Sequence, residues 1–224
     1  SSGGLNKIQK VDANLAGSNR VDVKTNITNV STINIDAENN KVYYFLPGGF
    51  SIFQCDTNGN NNSTLISLPT SSPVLGIEID SESNFIYWYQ LTPGTRRIRR
   101  ADLLTGINQI TIFSSPDFLF DIKLIKEDSS ILFSNRNGNR VQKINTDGTG
   151  LTTIVNEPSG PTVGTIAGDF CNNSIYYYLN NAGAGLQIKK TDFQGSTPVI
   201  VLDTSFSSLS GIDALYQYNI GRRK

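Results

Sequence analysis

The stretch Val74-Leu75-Gly76-Ile77-Glu78-Ile79-Asp80 recurs along the chain at intervals of 44 to 46 residues. Four other segments carry a similar alternation of apolar residues, namely residues 30–36, 119–125, 163–169 and 209–215. A repeat of this length, filled with short alternating runs, is typical of a β-propeller, in which every repeat forms one small sheet called a blade. The repeat therefore predicts an all-β fold built from similar blades.

Each complete repeat contains four predicted strands. The first is the quoted stretch, whose apolar side chains alternate with a period of two. An aromatic second strand follows at 41–45, 85–89, 130–134 and 174–178. The third strand is centred on Ile52, Ile98, Val141 or Ile188, and the fourth lies at 64–68, 108–113, 151–155 or 198–202. Tetrads such as Asp56-Thr57-Asn58-Gly59 between the third and fourth strands predict type I turns with a left-handed Gly.

The two ends of the chain predict how the ring of blades closes. Residues 6–25 begin at a third strand around Ile8 and supply a fourth strand, whereas residues 209–215 supply only a first strand. Joining these strands completes a fifth blade from both termini and removes exposed sheet edges. We therefore expect a β-propeller of five four-stranded blades, closed by N-terminal outer strands and a C-terminal inner strand. The predicted organisation is a trimmed or flexible N-terminus at 1–5, a single β-propeller domain at 6–220 and a basic tail at 221–224.

The composition argues against several functions. Nineteen basic and nineteen acidic residues balance to no net charge, which gives no electrostatic attraction to nucleic acid. The chain has no His, so it lacks the usual general base and the commonest metal ligand. No apolar run approaches the roughly 18 residues of a membrane-spanning helix. We expect a non-catalytic protein without cofactor, metal, nucleic-acid partner or membrane insertion.

Cysteines and glycosylation sequons bear on the compartment. Cys55 and Cys171 fall on blades that are not neighbours, so we expect two small, semi-buried thiols and no disulfide. Four of the five Asn-X-Ser/Thr sequons lie in predicted turns or loops, where glycans fit. This pattern favours an extracellular or secretory-pathway location. The glycosylation candidates are Asn26, Asn29, Asn61, Asn62 and Asn172.

The repeat resembles a known family at several columns. Its pattern of apolar-X-X-Ile-X-Ile-Asp, then Ile-Tyr-Trp, then Ile-X-(Arg/Lys)-X-X-X-X-X-Gly is similar to the YWTD propeller repeat of the low-density-lipoprotein-receptor group. The match is clearest at Ile86-Tyr87-Trp88 and Ile98-Arg99-Arg100. The Thr-Asp that completes the family motif is replaced by Phe45-Leu46, Tyr89-Gln90, Ser134-Asn135 and Tyr178-Leu179. The family ring has six blades, whereas this chain predicts five. The resemblance implies an extracellular recognition propeller and no particular ligand.

The candidate ligand residues lie at the predicted rim of the central channel. First-strand starts and the loops between second and third strands form this rim. These positions differ from blade to blade, which suits one asymmetric site, although loops vary in any case and a solvated rim is the alternative. The predicted rim residues are Glu78, Asp121, Lys123, Asp213, Tyr89, Arg96, Arg97 and Arg136.

Two other conspicuous features have structural explanations. Trp88, the only Trp, shares its column with other aromatic residues, which favours packing between blades. In the basic run 96–100, Arg100 shares a column with other long polar side chains, so its stem is expected to cover apolar surface. Arg96 and Arg97 share no such column and remain candidates for contact with an acidic partner.

The sequence therefore predicts a binding or structural module that presents loops around a central channel, with a protein as its first expected partner. A carbohydrate-binding lectin is the alternative, favoured by the aromatic and Asn-rich loops, with a glycan as partner. A calcium-dependent propeller hydrolase is the second alternative, in which Glu78, Asp121 and Asp213 would contribute carboxylates around a channel-bound calcium.

Overall fold

Eighteen β-strands account for most of the regular structure of the described residues. A computed structural model describes residues 6–11, 19–27, 29–181 and 185–204. Its strands form one two-stranded antiparallel hairpin and four four-stranded antiparallel sheets. Two short 3₁₀ turns occur at Pro47–Gly49 and Lys126–Asp128. No helix in this part of the chain is long and apolar enough to cross a membrane.

Unit 1, a compact unit that ends at Pro116, contains the hairpin and two sheets. The N-terminal hairpin pairs β1 (Asn6–Val11) with β2 (Arg20–Ile27). Sheet 1 contains β3 (Thr32–Asp36), β4 (Lys41–Leu46), β5 (Ser51–Asp56) and β6 (Ser63–Ser67). Sheet 2 contains β7 (Val74–Asp80), β8 (Phe85–Thr92), β9 (Thr95–Asp102) and β10 (Ile110–Ser115).

Unit 2 begins at Asp117 and contains the other two sheets. Sheet 3 contains β11 (Leu119–Ile125), β12 (Ser130–Asn135), β13 (Arg140–Asn145) and β14 (Thr152–Asn156). Sheet 4 contains β15 (Thr162–Asp169), β16 (Ser174–Asn181), β17 (Gly185–Thr191) and β18 (Val199–Thr204). In all four sheets the strands pair in chain order, so each repeat of the sequence is one sheet.

The all-β prediction and its strand assignments are confirmed across the described residues. Predicted and observed strand ends agree within three residues, and the predicted N-terminal pair of strands is the β1–β2 hairpin. The predicted strand 209–215, Asp213, the N-terminal segment 1–5 and the basic tail 221–224 lie outside the described residues. The single-domain assignment of 6–220 stays a prediction.

The fourth strand of every sheet contains a β-bulge that the sequence analysis did not predict. Opposite the third strand, the fourth strand has one extra residue between two paired positions, and β2 of the hairpin has it too. In sheet 1 the bulge breaks the alternation, so that the consecutive residues Leu65 and Ile66 are both buried. The bulge residues are Val23, Leu65, Ile112, Ile154 and Val201.

A turn glycine packs against the bulge of the preceding sheet or hairpin. A Cβ on Gly106 would lie 2.1 Å from the carbonyl oxygen of Leu65. Gly59 and Gly195 approach the carbonyl oxygens of Val23 and Ile154 in the same way. All three glycines have positive φ. Glycine therefore meets two needs here, because it adopts the left-handed turn and leaves room for a neighbouring backbone.

The core of each unit lies between neighbouring sheets. In unit 1 one apolar cluster joins Ile52 and Ile66 of sheet 1 to Val74 and Trp88 of sheet 2. The ring of Trp88 is fully buried, which confirms the predicted packing role of this residue. In unit 2 an equivalent cluster includes Val155 of sheet 3 and Tyr177 of sheet 4. All four strands of a sheet thus contribute side chains to the packing between neighbouring sheets of a unit.

The two cysteines differ more than the sequence predicted. Both are free thiols, as expected. The prediction that both are semi-buried is wrong, because Cys55 is buried and Cys171 is exposed. Cys55 lies in β5 and packs on the hairpin, in a cluster with Ile8 and Val23. Burial raises the pKa of the Cys55 thiol. Cys171 lies exposed in the turn between β15 and β16.

Replacement of Gly106 tests the contact between turn and bulge. Gly94 has a similar positive φ but open space around its Cβ position, so Gly94→Ala should cost about 1–2 kcal/mol from backbone strain alone. Gly106→Ala must also displace the Leu65 peptide and should cost at least about 3 kcal/mol. Urea unfolding monitored by circular dichroism measures both values. Equal costs for the two variants would show that the contact contributes nothing.

Candidate functional site

The predicted rim residues of unit 1 lie on β7, β8 and β9. Arg96 and Arg97 face Leu91 and Gln90 across the β8–β9 pair, near the turn that joins these strands. An Nη of Arg96 donates a hydrogen bond to the Thr92 carbonyl oxygen at 3.1 Å, so this arginine also fastens the turn. Arg97 is partly exposed and stays available to a partner.

The other two predicted rim residues of unit 1, Tyr89 and Glu78, differ in exposure. Tyr89 is fully buried within β8, a position that the sequence did not predict, and its part in a ligand rim stays a prediction. Its neighbours Ile86, Tyr87 and Trp88 on the same strand are buried as well. Glu78 is partly exposed on β7, opposite Tyr87 in the β7–β8 pair.

Asp121, a predicted ligand residue in unit 2, instead joins two sheets. Its carboxylate accepts hydrogen bonds from the Thr165 hydroxyl at 2.6 Å and from the backbone N–H of Ile166 at 3.1 Å. It also accepts the N–H of Ile122 on its own strand. With these bonds made inside the protein, Asp121 acts as a fixed link between the first strands of sheets 3 and 4.

Unit 1 contains the corresponding link with different side chains. Asn34 on β3 donates to the Ile77 carbonyl oxygen of β7 at 2.7 Å, and Ser31 donates to the Val74 carbonyl oxygen at 2.9 Å. Polar residues near the first strands thus fasten neighbouring sheets together. These residues differ between repeats, which suggested an asymmetric ligand site. Their different side chains nevertheless make the same kind of link between sheets.

Among the described rim residues predicted in unit 2, Arg136 is the most exposed. Its guanidinium lies 5.6 Å from the ring centroid of Phe120. Asn135 holds the turn beneath it, because its side-chain oxygen accepts the N–H of Gly138. Lys123 is partly exposed on β11, and Asp213 lies outside the described residues.

The basic run 96–100 is divided between two faces of sheet 2. Arg100 lies 4.1 Å from the ring centroid of Phe85, which confirms that its stem covers apolar surface. Lys190 holds the equivalent position over Tyr176 in sheet 4. Successive side chains on a strand point to opposite faces, so Arg99 lies on the face opposite to Arg100. Arg97, two residues from Arg99, lies on the same face as Arg99.

The aromatic column of the second strands has a regular partner on the third strand. In all four sheets the aromatic residue is directly paired with one residue whose chemistry differs from sheet to sheet. These pairs are Tyr44 with Phe53, Trp88 with Arg99, Phe133 with Gln142 and Tyr177 with Lys189. The partner of the aromatic ring is therefore the variable position inside an otherwise constant core.

Sheet 4 neutralises its cation at this position. Lys189 forms a salt bridge of 2.9 Å with Glu157, whose side chain is only 6% exposed. The hydroxyl of Tyr177 donates to the same carboxylate. Burial, followed by this hydrogen bond, raises the pKa of Tyr177. Two of these residues, Glu157 and Lys189, also line a surface pocket of about 370 Å³.

Sheet 2 has a cation at the same position, and none of the described carboxylates forms a salt bridge with it. The guanidinium of Arg99 lies 5.3 Å from the ring centroid of Trp88, whose indole N–H donates to Gln90 at 3.1 Å. The Nε of Arg99 is buried without a hydrogen-bond partner among the described residues. Burial, followed by the charge of Arg97, lowers the pKa of Arg99.

Sequence reasoning missed Arg99, Lys189 and Glu157. Alignment assigned the basic run to a structural column through Arg100, and this obscured the different role of its neighbour Arg99. Glu157 lies in the connection after β14, 32 residues from Lys189, so spacing could not pair them. An available signal was that Arg99 and Lys189 share one aligned column with the uncharged Phe53 and Gln142.

The sequons are placed as predicted, and their use stays a prediction. All five asparagines are exposed, and Asn29, Asn61, Asn62 and Asn172 lie outside strands. Mass loss on treatment with peptide N-glycosidase would check whether they carry glycans. Over the residues that the structure describes, no group of three or more His, Cys, Asp or Glu side chains could hold a metal ion.

Comparison with solved structures identifies the fold as that of β-propellers. A chain of a nidogen–laminin complex matches with a TM-score of 0.60 at 17% identity, over 73% of this chain and 62% of that one. An oligogalacturonate lyase in complex with manganese matches with a TM-score of 0.68 at 14% identity, over 88% of this chain and 59% of that one. A putative TolB from Agrobacterium tumefaciens matches with a TM-score of 0.70 at 14% identity, over 91% of this chain and 75% of that one. The first two matches therefore extend over less than two thirds of the solved chains.

Comparison by sequence adds no family. No protein-family model matches the chain, and no curated protein matches it significantly. Since all three structural identities are below one fifth, the likeness shows the fold and leaves the function to the residues of this chain.

Variants of the Glu157 cluster test whether the salt bridge is a closed structural unit. Glu157→Leu leaves a largely buried ammonium without its anion and should lower the free energy of unfolding by about 3 kcal/mol. Adding Lys189→Met removes that charge and should restore stability to within about 1 kcal/mol of the wild type. Urea unfolding at neutral pH measures the cycle. A double variant no more stable than Glu157→Leu would contradict this account.

Proposed function

We propose that the chain forms a closed five-bladed propeller that acts as a non-catalytic protein-recognition module. Two uncovered apolar faces support closure. In sheet 1, Ile33 and Ile35 are 44% and 58% exposed, whereas their counterparts in sheet 2 are buried. In sheet 4, Val201 and Leu202 are 55% and 49% exposed, although the equivalent pair in sheet 1 is buried. A composite blade from residues 6–27 and 209–215 would cover both faces.

Matched core truncations test closure. Ile66→Ala removes a side chain buried between sheets 1 and 2 and should cost about 2–4 kcal/mol. Leu202→Ala, at the equivalent position of sheet 4, should cost a similar amount in a closed ring. An uncovered Leu202 would instead give a change within about 0.5 kcal/mol. Unfolding in urea measures both, and a neutral Leu202→Ala would contradict closure.

The recognition function is carried by the Arg136–Phe120 pair. Arginine and aromatic residues dominate the energetics of many protein interfaces, where they act as preorganised anchors. Here the guanidinium is exposed over the ring, and the turn that holds it is fixed by the side chain of Asn135. The structural likeness to a chain of the nidogen–laminin complex supports a protein as the partner.

The likeness also supports the finer assignment of the repeat. We infer a degenerate YWTD-type repeat in which the missing Thr-Asp has been replaced by other links between sheets. Asn34 and Asp121 supply such links from the first strands. An extracellular location with glycans on the exposed sequons accords with this assignment.

Affinity capture tests recognition directly. The wild-type chain, Arg136→Glu and Lys126→Glu would be immobilised and exposed to extract of the source organism, with bound proteins quantified by mass spectrometry. Lys126 is exposed in the turn between β11 and β12, at the other end of these strands, so it controls for charge reversal. We expect a partner that the wild type and Lys126→Glu retain and that Arg136→Glu binds at least about tenfold less well. Absence of any protein enriched over bare resin would contradict the recognition function.

A further inference from the structure

Arg97 and Arg99 form a pair of like charges on one face of β9. Two residues apart on a strand, they point to the same side with Cα atoms about 7 Å apart. On the neighbouring strand β8, Arg97 is paired with Gln90 and Arg99 with Trp88. The amide of Gln90 and the indole ring of Trp88 therefore lie between the two arginines and β7. Both arginines are partly exposed. The pair is thus reachable from solvent while resting on a rigid, buried base.

No described carboxylate neutralises this pair. The salt bridges of the described residues do not include Arg97 or Arg99, and the Nε of Arg99 is buried without a hydrogen-bond partner. Placing a guanidinium in such surroundings is unfavourable unless an anion completes its hydrogen bonds. The mutual repulsion of the two charges adds to that cost.

Sheet 4 shows what completes the same arrangement. There the cation Lys189 binds Glu157, the first residue after the bulged fourth strand of the preceding sheet. The backbone N–H of Glu157 donates to the Asn139 carbonyl oxygen at 2.9 Å. Leu68 makes the equivalent bond to Phe50 at 2.9 Å after β6. Unit 1 therefore has Leu68 where unit 2 has its carboxylate.

We propose that Arg97 and Arg99 bind a carboxylate from an acidic peptide segment of a protein partner, which takes the part that Glu157 plays in unit 2. Two guanidinium groups provide planar, paired donors that match the two oxygens of a carboxylate. The buried ring of Trp88, over which the Arg99 guanidinium lies, forms the base of the site. The peptide source rests on the recognition function proposed above, whereas the carboxylate site rests on the geometry alone.

Binding of an acidic peptide provides the first test. The probe is a capped, fluorescein-labelled decapeptide that alternates Gly with Glu, and its counterpart has Gln in place of Glu. Fluorescence anisotropy measures binding to the full chain, and emission of Trp88, the only Trp, reports contact at the site. Arg97→Gln and Arg99→Gln should each weaken binding roughly tenfold or more. Arg100→Gln removes the same charge from the opposite face and should change binding by less than about twofold.

Several outcomes would overturn the proposal. Equal loss with Arg100→Gln would show unspecific attraction to the basic strand. Equal binding of the Gln peptide would exclude a carboxylate ligand. Stronger competition by inorganic phosphate than by sodium acetate, at matched ionic strength, would assign the site to phosphate chemistry. Binding of acetate with no gain from the peptide would overturn the peptide source.

A second variant keeps the test independent of fold defects in the arginine variants. Leu68→Glu places a carboxylate where unit 2 has Glu157, and Leu68→Gln is its uncharged control. If the arginines accept a carboxylate, Leu68→Glu should melt no lower than Leu68→Gln and should abolish peptide binding. A melting temperature lower by about 3 °C or more would instead reveal an unpaired buried carboxylate and overturn the proposal.

The two proposals fail in different ways. Peptide binding that depends on Arg97 and Arg99, together with no captured partner, would leave the carboxylate site and contradict the recognition function. A captured partner that Arg97→Gln and Arg99→Gln bind as well as the wild type does would leave the recognition function and overturn this site.

Discussion

Within each unit, the bulge in β2, β6 or β14 is the constraint on which packing against the next sheet depends. One extra residue turns two consecutive apolar side chains toward the next sheet, as Leu65 and Ile66 show. The carbonyl group of that residue then lies against a turn of the next sheet, where only glycine leaves enough room. The bulge of one sheet and the turn glycine of the next therefore fit each other. Neither is explained by the needs of its own sheet.

Polar side chains complete the junction near the first strands. Asn34 reaches a carbonyl group of the next sheet, and Asp121 accepts from a hydroxyl and an N–H group. The two solutions differ in residue type and in the direction of the hydrogen bond, yet both reach the peptide groups of the same aligned segment. At these first-strand positions, variation among repeats is therefore compatible with a constant structural task and does not by itself indicate ligand contact.

The sequence predicted strand positions well because the alternation of apolar residues is a local property. It could not predict the bulges, since Leu65-Ile66 and Ile154-Val155 look like failures of alternation until their pairing partners are known. The buried position of Tyr89 was missed for a related reason, because burial depends on contacts beyond the strand itself. The Glu157–Lys189 pair joins different sheets, and no spacing rule links residues across that contact.

The residue beside the aromatic column shows how a constant fold makes room for a variable site. Phe53 and Gln142 occupy it in sheets 1 and 3, so packing at this position does not require a cation. Sheet 4 accepts a cation and supplies an anion from its own chain. Sheet 2 has the cation Arg99 at this position and a second cation, Arg97, two residues away on the same strand. None of the described residues supplies an anion to either arginine. Because an unneutralised guanidinium in partly buried surroundings lowers stability, the arginines of sheet 2 are better explained by an interaction with another molecule than by the needs of the core.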